Sequence, residues 1–171
     1  GDNRDLHSCP TRRSSDLNPG VAAAVNGTLH HLLWKGTLDA RLRELLIMRI
    51  GWSTGSVYEW TQHWSVALAV GVDEADLLAV RDWPDHEGFG DVERAVLAAT
   101  DESLADGRIS DRTWAACAKH LDEAGLVELV VAIGNWTLFA RLLPSLEVPL
   151  EDGVEPWPPD GRTPDDPTEE T

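Results

Sequence analysis

The sequence predicts an all-α domain, a compact bundle of about six to seven helices. Three observations point there. Alternating β-branched runs are missing from the body of the chain; Ala, Leu, Glu and Arg dominate it; and apolar residues recur at helical spacing between glycine and capping-type punctuation. With 171 residues, 42% of them hydrophobic and 26% charged, the chain is long enough for one domain with a full core.

Taken in order, Pro19-Gly20 opens a first helix to about Trp34, which Lys35-Gly36 stops. Asp39 is placed to cap a second helix, from Ala40 to about Trp52, in which Leu42, Leu45, Leu46 and Arg49 share a face. After the break at Ser53-Thr54-Gly55, a third helix runs from about Ser56 to Val70. Asp73 starts a short fourth through Leu77, Leu78 and Arg81, ended by Trp83-Pro84. A fifth spans Asp91 to about Ala105. Ser110 caps a sixth, where Trp114, Cys117, Ala118 and Leu121 recur at helical spacing. The last helix, Glu123 to about Leu143, is the most apolar. Its predicted inner stripe is Leu126, Leu129, Val130, Ile133, Thr137 and Ala140, widened by Val131, Leu138, Leu142 and Leu143. A helix apolar nearly all round needs cover on several sides, so a subunit interface is expected there.

The two ends differ from this body, residues 18–146. Residues 1–17 lack apolar periodicity, and Ser8–Leu17 resembles a translated sequencing adapter, so Cys9 and His7 are left out of any site. Residues 147–171 are proline-rich and carry nine acidic residues against Arg162 alone. That composition predicts a mostly disordered tail with Trp157 as its one anchor.

The net charge of −16 argues against nucleic acid or an anionic membrane surface as partner. No unbroken run of 18 apolar residues exists, so no membrane span is expected, and no secretory signal is visible. Two cysteines, Cys9 and Cys117, give no disulfide scaffold and make a cytoplasmic location the default.

The densest polar cluster lies on the third helix. Ser56, Glu59 and His63 fall on one face, Tyr58 sits beside them, and Trp60 and Trp64 flank the face as walls of an expected water-poor pocket. Glu59 and His63 stand four residues apart, close enough for the carboxylate to orient the ring and raise its basicity, which suits a general base. An ordinary surface Glu–His pair has the same spacing. A metal site is disfavoured because two ligands are too few and neither an HExxH nor a CxxC completes them. His30 and His31 are adjacent and diverge, and Cys117 reads as a small buried hydrophobe rather than a nucleophile. No cofactor-binding motif, glycine-rich phosphate loop or serine-hydrolase elbow is present.

Leu38-Asp39-Ala40-Arg41-Leu42-Arg43-Glu44-Leu45 followed by Gly55-Ser56-Val57-Tyr58-Glu59-Trp60-Thr61-Gln62-His63 resembles the carboxymuconolactone decarboxylase family, which includes the alkylhydroperoxidase D-like proteins. Glu93-Arg94-Ala95, Ser110–Trp114 and Glu147–Glu151 extend the resemblance over most of 18–157. It implies an all-α fold assembled as trimers or hexamers. In the family's peroxidase branch a glutamate precedes a Cys-x-x-Cys, with a histidine four residues after the second cysteine. Glu44 matches that glutamate and His63 that histidine, whereas the cysteine positions hold Ser56 and Glu59. A hydroxyl and a carboxylate cannot exchange electrons with a peroxide, so thiol peroxidase activity is disfavoured. The surviving set is Glu44, Glu59 and His63, with Ser56 and Tyr58 as hydrogen-bond donors. It implies cofactor-free proton transfer on a small organic acid or lactone, with His63 as principal proton carrier and Glu59 fixing its ring. A non-catalytic oligomeric binding protein is the alternative.

Overall fold

The computed structural model describes residues 18–166. They form seven α-helices: α1 Pro19–Trp34, α2 Ala40–Thr54, α3 Val57–Ala69, α4 Glu74–Ala79, α5 Asp91–Asp106, α6 Asp111–Cys117 and α7 Glu123–Ser145. A 3-10 helix, Val80–Asp85, joins α4 to α5, and there is no strand among the described residues. The expectation for residues 1–17 lies outside this range.

The helix starts follow local chemistry. The Asp39 carboxylate accepts from the backbone N–H of Arg41 and Leu42, Ser110 from Thr113, and Asp122 from Gly125. Gly55 ends α2 in the left-handed conformation (φ 66°), which glycine adopts without a Cβ clash, and α3 starts two residues later. The expected continuation of α4 through Arg81 is a 3-10 helix instead, because Asp82 leaves helical geometry (φ −140°) just ahead of Pro84.

α2 is the hub. One of its faces, with Leu42, Leu46, Ile47 and Ile50, packs on α5 and α7 in a cluster that also takes in Leu32 of α1. The other, with Leu45 and Met48, joins a second cluster containing Trp60, Trp64, Leu77, Leu97 and Trp157. Nine of its fifteen residues are buried, including Arg43 and Glu44. Gly51 is what lets α3 lie so close: a Cβ there would stand 3.0 Å from the Trp60 amide nitrogen.

α7 corrects the predicted stripe. Its buried residues include Leu126, Leu129, Ala132, Ile133, Trp136 and Ala140, while Val127, Val130, Val131 and Leu138 are exposed. By length and composition α7 could cross a bilayer, with a mean hydropathy of 1.6 over 18 residues, a property that core helices of soluble folds share. On α6 only Thr113 and Cys117 are buried; Trp114 is exposed because the helix ends at Cys117 and offers one short face to α5.

The C-terminal segment, residues 147–166, lies as a strap over α3. Trp157 is buried against Trp52 and Trp60, its amide donates to Thr61 Oγ1, and Trp60 Nε1–H donates to the Pro158 carbonyl (2.7 Å). Arg81 pairs through two nitrogens with Asp160, holding that carboxyl down at about 2, and its guanidinium lies over Trp52 and Trp60 at 4.7 and 5.0 Å. One indole and one ion pair dock the segment, with α3 supplying the other half of the contact.

Candidate active site

The antiparallel α2–α3 pair brings two of its acidic residues to one histidine. Glu44 is fully buried on the side of α2 that faces α3, seven residues before Gly51 and on the same stripe. Its Oε1 accepts from Arg43 Nε (3.1 Å) and its Oε2 lies 2.7 Å from His63 Nδ1. On the opposite edge of the ring, Trp136 Nε1–H of α7 donates to His63 Nε2 at 3.3 Å. An indole N–H can only donate, so Nε2 accepts, and the ring proton sits on Nδ1, where it is donated to Glu44. The Glu44 carboxylate and the Trp136 indole together fix one tautomer and one ring orientation.

Glu59 occupies a different place from the expected one. Its Oε2 stands 3.8 Å from His63 Nε2, beyond hydrogen-bond reach, so Glu44 and not Glu59 orients the ring. The reason is helical geometry: one turn along α3 brings the carboxylate to the ring's far edge, whereas Glu44 meets Nδ1 head-on from the neighbouring helix. Burial pushes the Glu59 carboxyl up to about 7, with the Glu44 charge adding to the rise and His63 opposing it. The Glu59 carboxyl is thereby brought close to neutral pH.

Ser56 is buried one turn before Glu59, and its Oγ has no hydrogen-bond partner. Tyr58 stands apart from the array: its phenol donates to Glu151 of the strap (3.4 Å), and burial together with that carboxylate raises its titration. Gln62 donates to the same carboxylate. Trp60 and Trp64 do not wall the cluster as expected. They turn into the second core, with centroids 5.9 Å apart, and the aromatic against His63 is Trp136, edge-on at 6.0 Å. Sequence reasoning missed Trp136 and Arg43. The signal for Trp136 was present: Leu126, Leu129, Ile133, Trp136 and Ala140 follow a strict three–four alternation, the true inner stripe of α7.

Cys117 lies in the other core, its thiol donating to the Ala95 carbonyl and pushed up to about 11 by burial. A thiol so hard to ionise is a poor nucleophile. Among the described residues no group of three or more His, Cys, Asp and Glu side chains is placed to hold a metal ion.

Seven helices, with a buried glutamate of one helix anchoring a histidine of the next, make up the frame of this site. Residues 19–102 match the model of the Carboxymuconolactone decarboxylase family. The fold of the chain is similar to that of a protein of unknown function from Agrobacterium tumefaciens with a suggested antioxidant-defence (AhpD) role. The two share 20% identity, with a TM-score of 0.74 over 82% of this chain and 99% of that one. It is also similar to the debrominase Bmp8, solved both in its apo form and, as a cysteine-to-alanine variant, with 2,3,4-tribromopyrrole. That pair shows 17% identity and a TM-score of 0.70, covering 80% of this chain and 74% of Bmp8. A peroxidase-related protein from Silicibacter follows at 11% identity and a TM-score of 0.68, covering 81% of this chain and 71% of that one. No curated protein sequence matches the chain significantly.

Proposed function

We propose that the chain is a decarboxylase-like acid–base enzyme that moves a proton to or from a small organic acid or lactone without a cofactor. Glu59 carries the proton, and Glu44, Arg43 and Trp136 hold His63 beside it. The observation supporting this is the division of labour between two buried carboxyls: Glu44 is committed to Arg43 and His63, whereas Glu59 is free of hydrogen-bond partners and titrates at about 7. In a decarboxylation, the bond to the carboxylate breaks and carbon dioxide leaves. The electron pair stays on the substrate as an enolate, and the neutral Glu59 carboxyl protonates that carbon and is reprotonated from water. His63 Nε2 stands 3.8 Å from Glu59 with its lone pair taken by the Trp136 N–H, so the ring lines the space beside Glu59 as a fixed wall. Peroxide reduction is not part of the proposal, because Ser56 and Glu59 stand where the thiol pair would be.

The test is a pH–rate profile on a panel of carboxylated lactones and β-keto acids. Turnover with a limb near the Glu59 titration, reduced about 10²- to 10⁴-fold by Glu59→Gln, is expected. Turnover unchanged in Glu59→Gln would overturn the assignment of Glu59.

We also propose that the chain assembles as a homotrimer or homohexamer through α1 and α7. Val21 and Trp34 of α1 and Val127, Val130, Val131 and Leu138 of α7 form an exposed apolar face, and apolar grooves run between the two helices.

A further inference from the structure

The chain carries 30 acidic residues against 14 Lys and Arg, yet its basic side chains are not evenly diluted. Three of them, with a histidine, surround one cavity of about 340 Å³ on the side of the molecule where α5 meets α6. Three alanines, Ala95, Ala98 and Ala116, leave the space between the helices open. Arg94 contributes from α5, Arg112 from α6, and Lys119 and His120 from the turn after it. Asp91 is the one carboxylate in the lining, so the fixed charge of the cavity is positive in a strongly negative protein.

Among the described residues these cations are not spent on ion pairs. Among the described residues Arg94 donates to backbone carbonyls, those of Phe89 (3.0 Å), His86 (2.6 Å) and Pro84, and meets no carboxylate, while its geometry is locked. Arg112 feels Glu102 electrostatically without a bond to it, and Glu102 is occupied by Ser110 and Thr113. By contrast, Arg41, Arg43, Arg49 and Arg81 each hold a carboxylate. On one side stands Trp83, whose N–H is committed to Asp101 Oδ2, which fixes the indole as an apolar wall. Like-charged side chains brought together around a concavity repel one another, a cost that a bound anion relieves, and low-dielectric walls focus their field on it.

We propose that the α5–α6 cavity is a binding site for a small oxyanion carrying two negative charges, a dicarboxylate or a phosphate, with Arg112 and Lys119 as its principal contacts and Arg94 as a fixed positive background. The volume suits a small metabolite rather than a nucleotide. The site is separate from Glu44, Glu59 and His63, and its standing does not depend on the chemistry proposed for them.

Calorimetric titration of the full chain at low salt with succinate, and separately with inorganic phosphate, tests it. Saturable one-to-one binding of at least one probe is expected, weakened tenfold or more by Arg112→Glu with Lys119→Glu and weakened steeply by salt. Both positions are exposed, so the fold is kept. Arg108→Glu, an exposed charge reversal outside the cavity, should leave the affinity within about twofold. Which probe binds tells carboxylate from phosphate. Absence of saturable binding by both, equal losses in the Arg108 variant, or an unaffected double variant would each overturn the site.

Discussion

α2 and α7 invert the usual relation between polarity and burial. α2 carries three arginines and a glutamate in fifteen residues and is the most enclosed helix of the fold, whereas α7 is far more apolar and leaves Val127, Val130, Val131 and Leu138 in solvent. The charges of α2 are tolerated because each has a partner delivered by another element or by the next residue: Arg41 with Asp76 and Glu93, Arg43 with Glu44, Arg49 with Asp101. Burial thus follows position in the bundle, and a charged helix can be central when its neighbours neutralise it. The surplus apolar face of α7 has no such use within one chain.

The strongest way to break this comparison is to unpair a central charge. Glu44→Ala strands Arg43 and His63, and a loss of about 3–5 kcal/mol in urea unfolding is expected. A loss below about 1 kcal/mol would mean that the α2 charges do not hold the hub together. Gly51→Ala comes next: its Cβ meets the Trp60 backbone, so α3 must move, and about 1–3 kcal/mol should be lost despite alanine's better helix propensity. A stabilised Gly51→Ala protein would contradict the close α2–α3 approach.

Glu59 sharpens the contrast among buried charges. Its carboxyl is raised from 4.5 to about 7, so the folded state holds a proton that the unfolded chain releases earlier. The stability this gives is complete below about pH 4.5 and is lost as the pH rises through about 7. Unfolding measured across that window should show the decline in the native protein and a flatter profile in Glu59→Gln; parallel profiles would refute the shift. The smallest effect on the fold is expected at the apolar end of the comparison. Val131→Glu should alter monomer stability by no more than about 0.5 kcal/mol, yet abolish the proposed assembly, with light scattering as the readout. An assembly that survives Val131→Glu and Leu138→Glu together would place the interface elsewhere.

Much of the fold was legible from local chemistry. Asp39, Gly55, Ser110 and Asp122 mark helix ends through short-range hydrogen bonds and backbone preference, and these act within three residues of where they are written. The pairing of Glu44 with His63 was legible only as a resemblance, because the two are 19 residues apart and no helical spacing links them. Glu59 and His63, one turn apart, looked like the closer pair. Their 3.8 Å separation reflects side-chain direction, which sequence spacing leaves open.

By itself, the sequence determined the helices, their caps, the negative charge and the residue types available for acid–base chemistry. All of these depend on neighbours a turn or less away. Tertiary structure alone decided which carboxylate orients His63, that Trp136 and not Trp60 or Trp64 stands against it, that the proline-rich segment docks on α3 through Trp157, and that α2 rather than α7 is the hub. Each of these is a contact between residues distant in the chain, and its energy exists only when packing brings both partners together and removes the water between them.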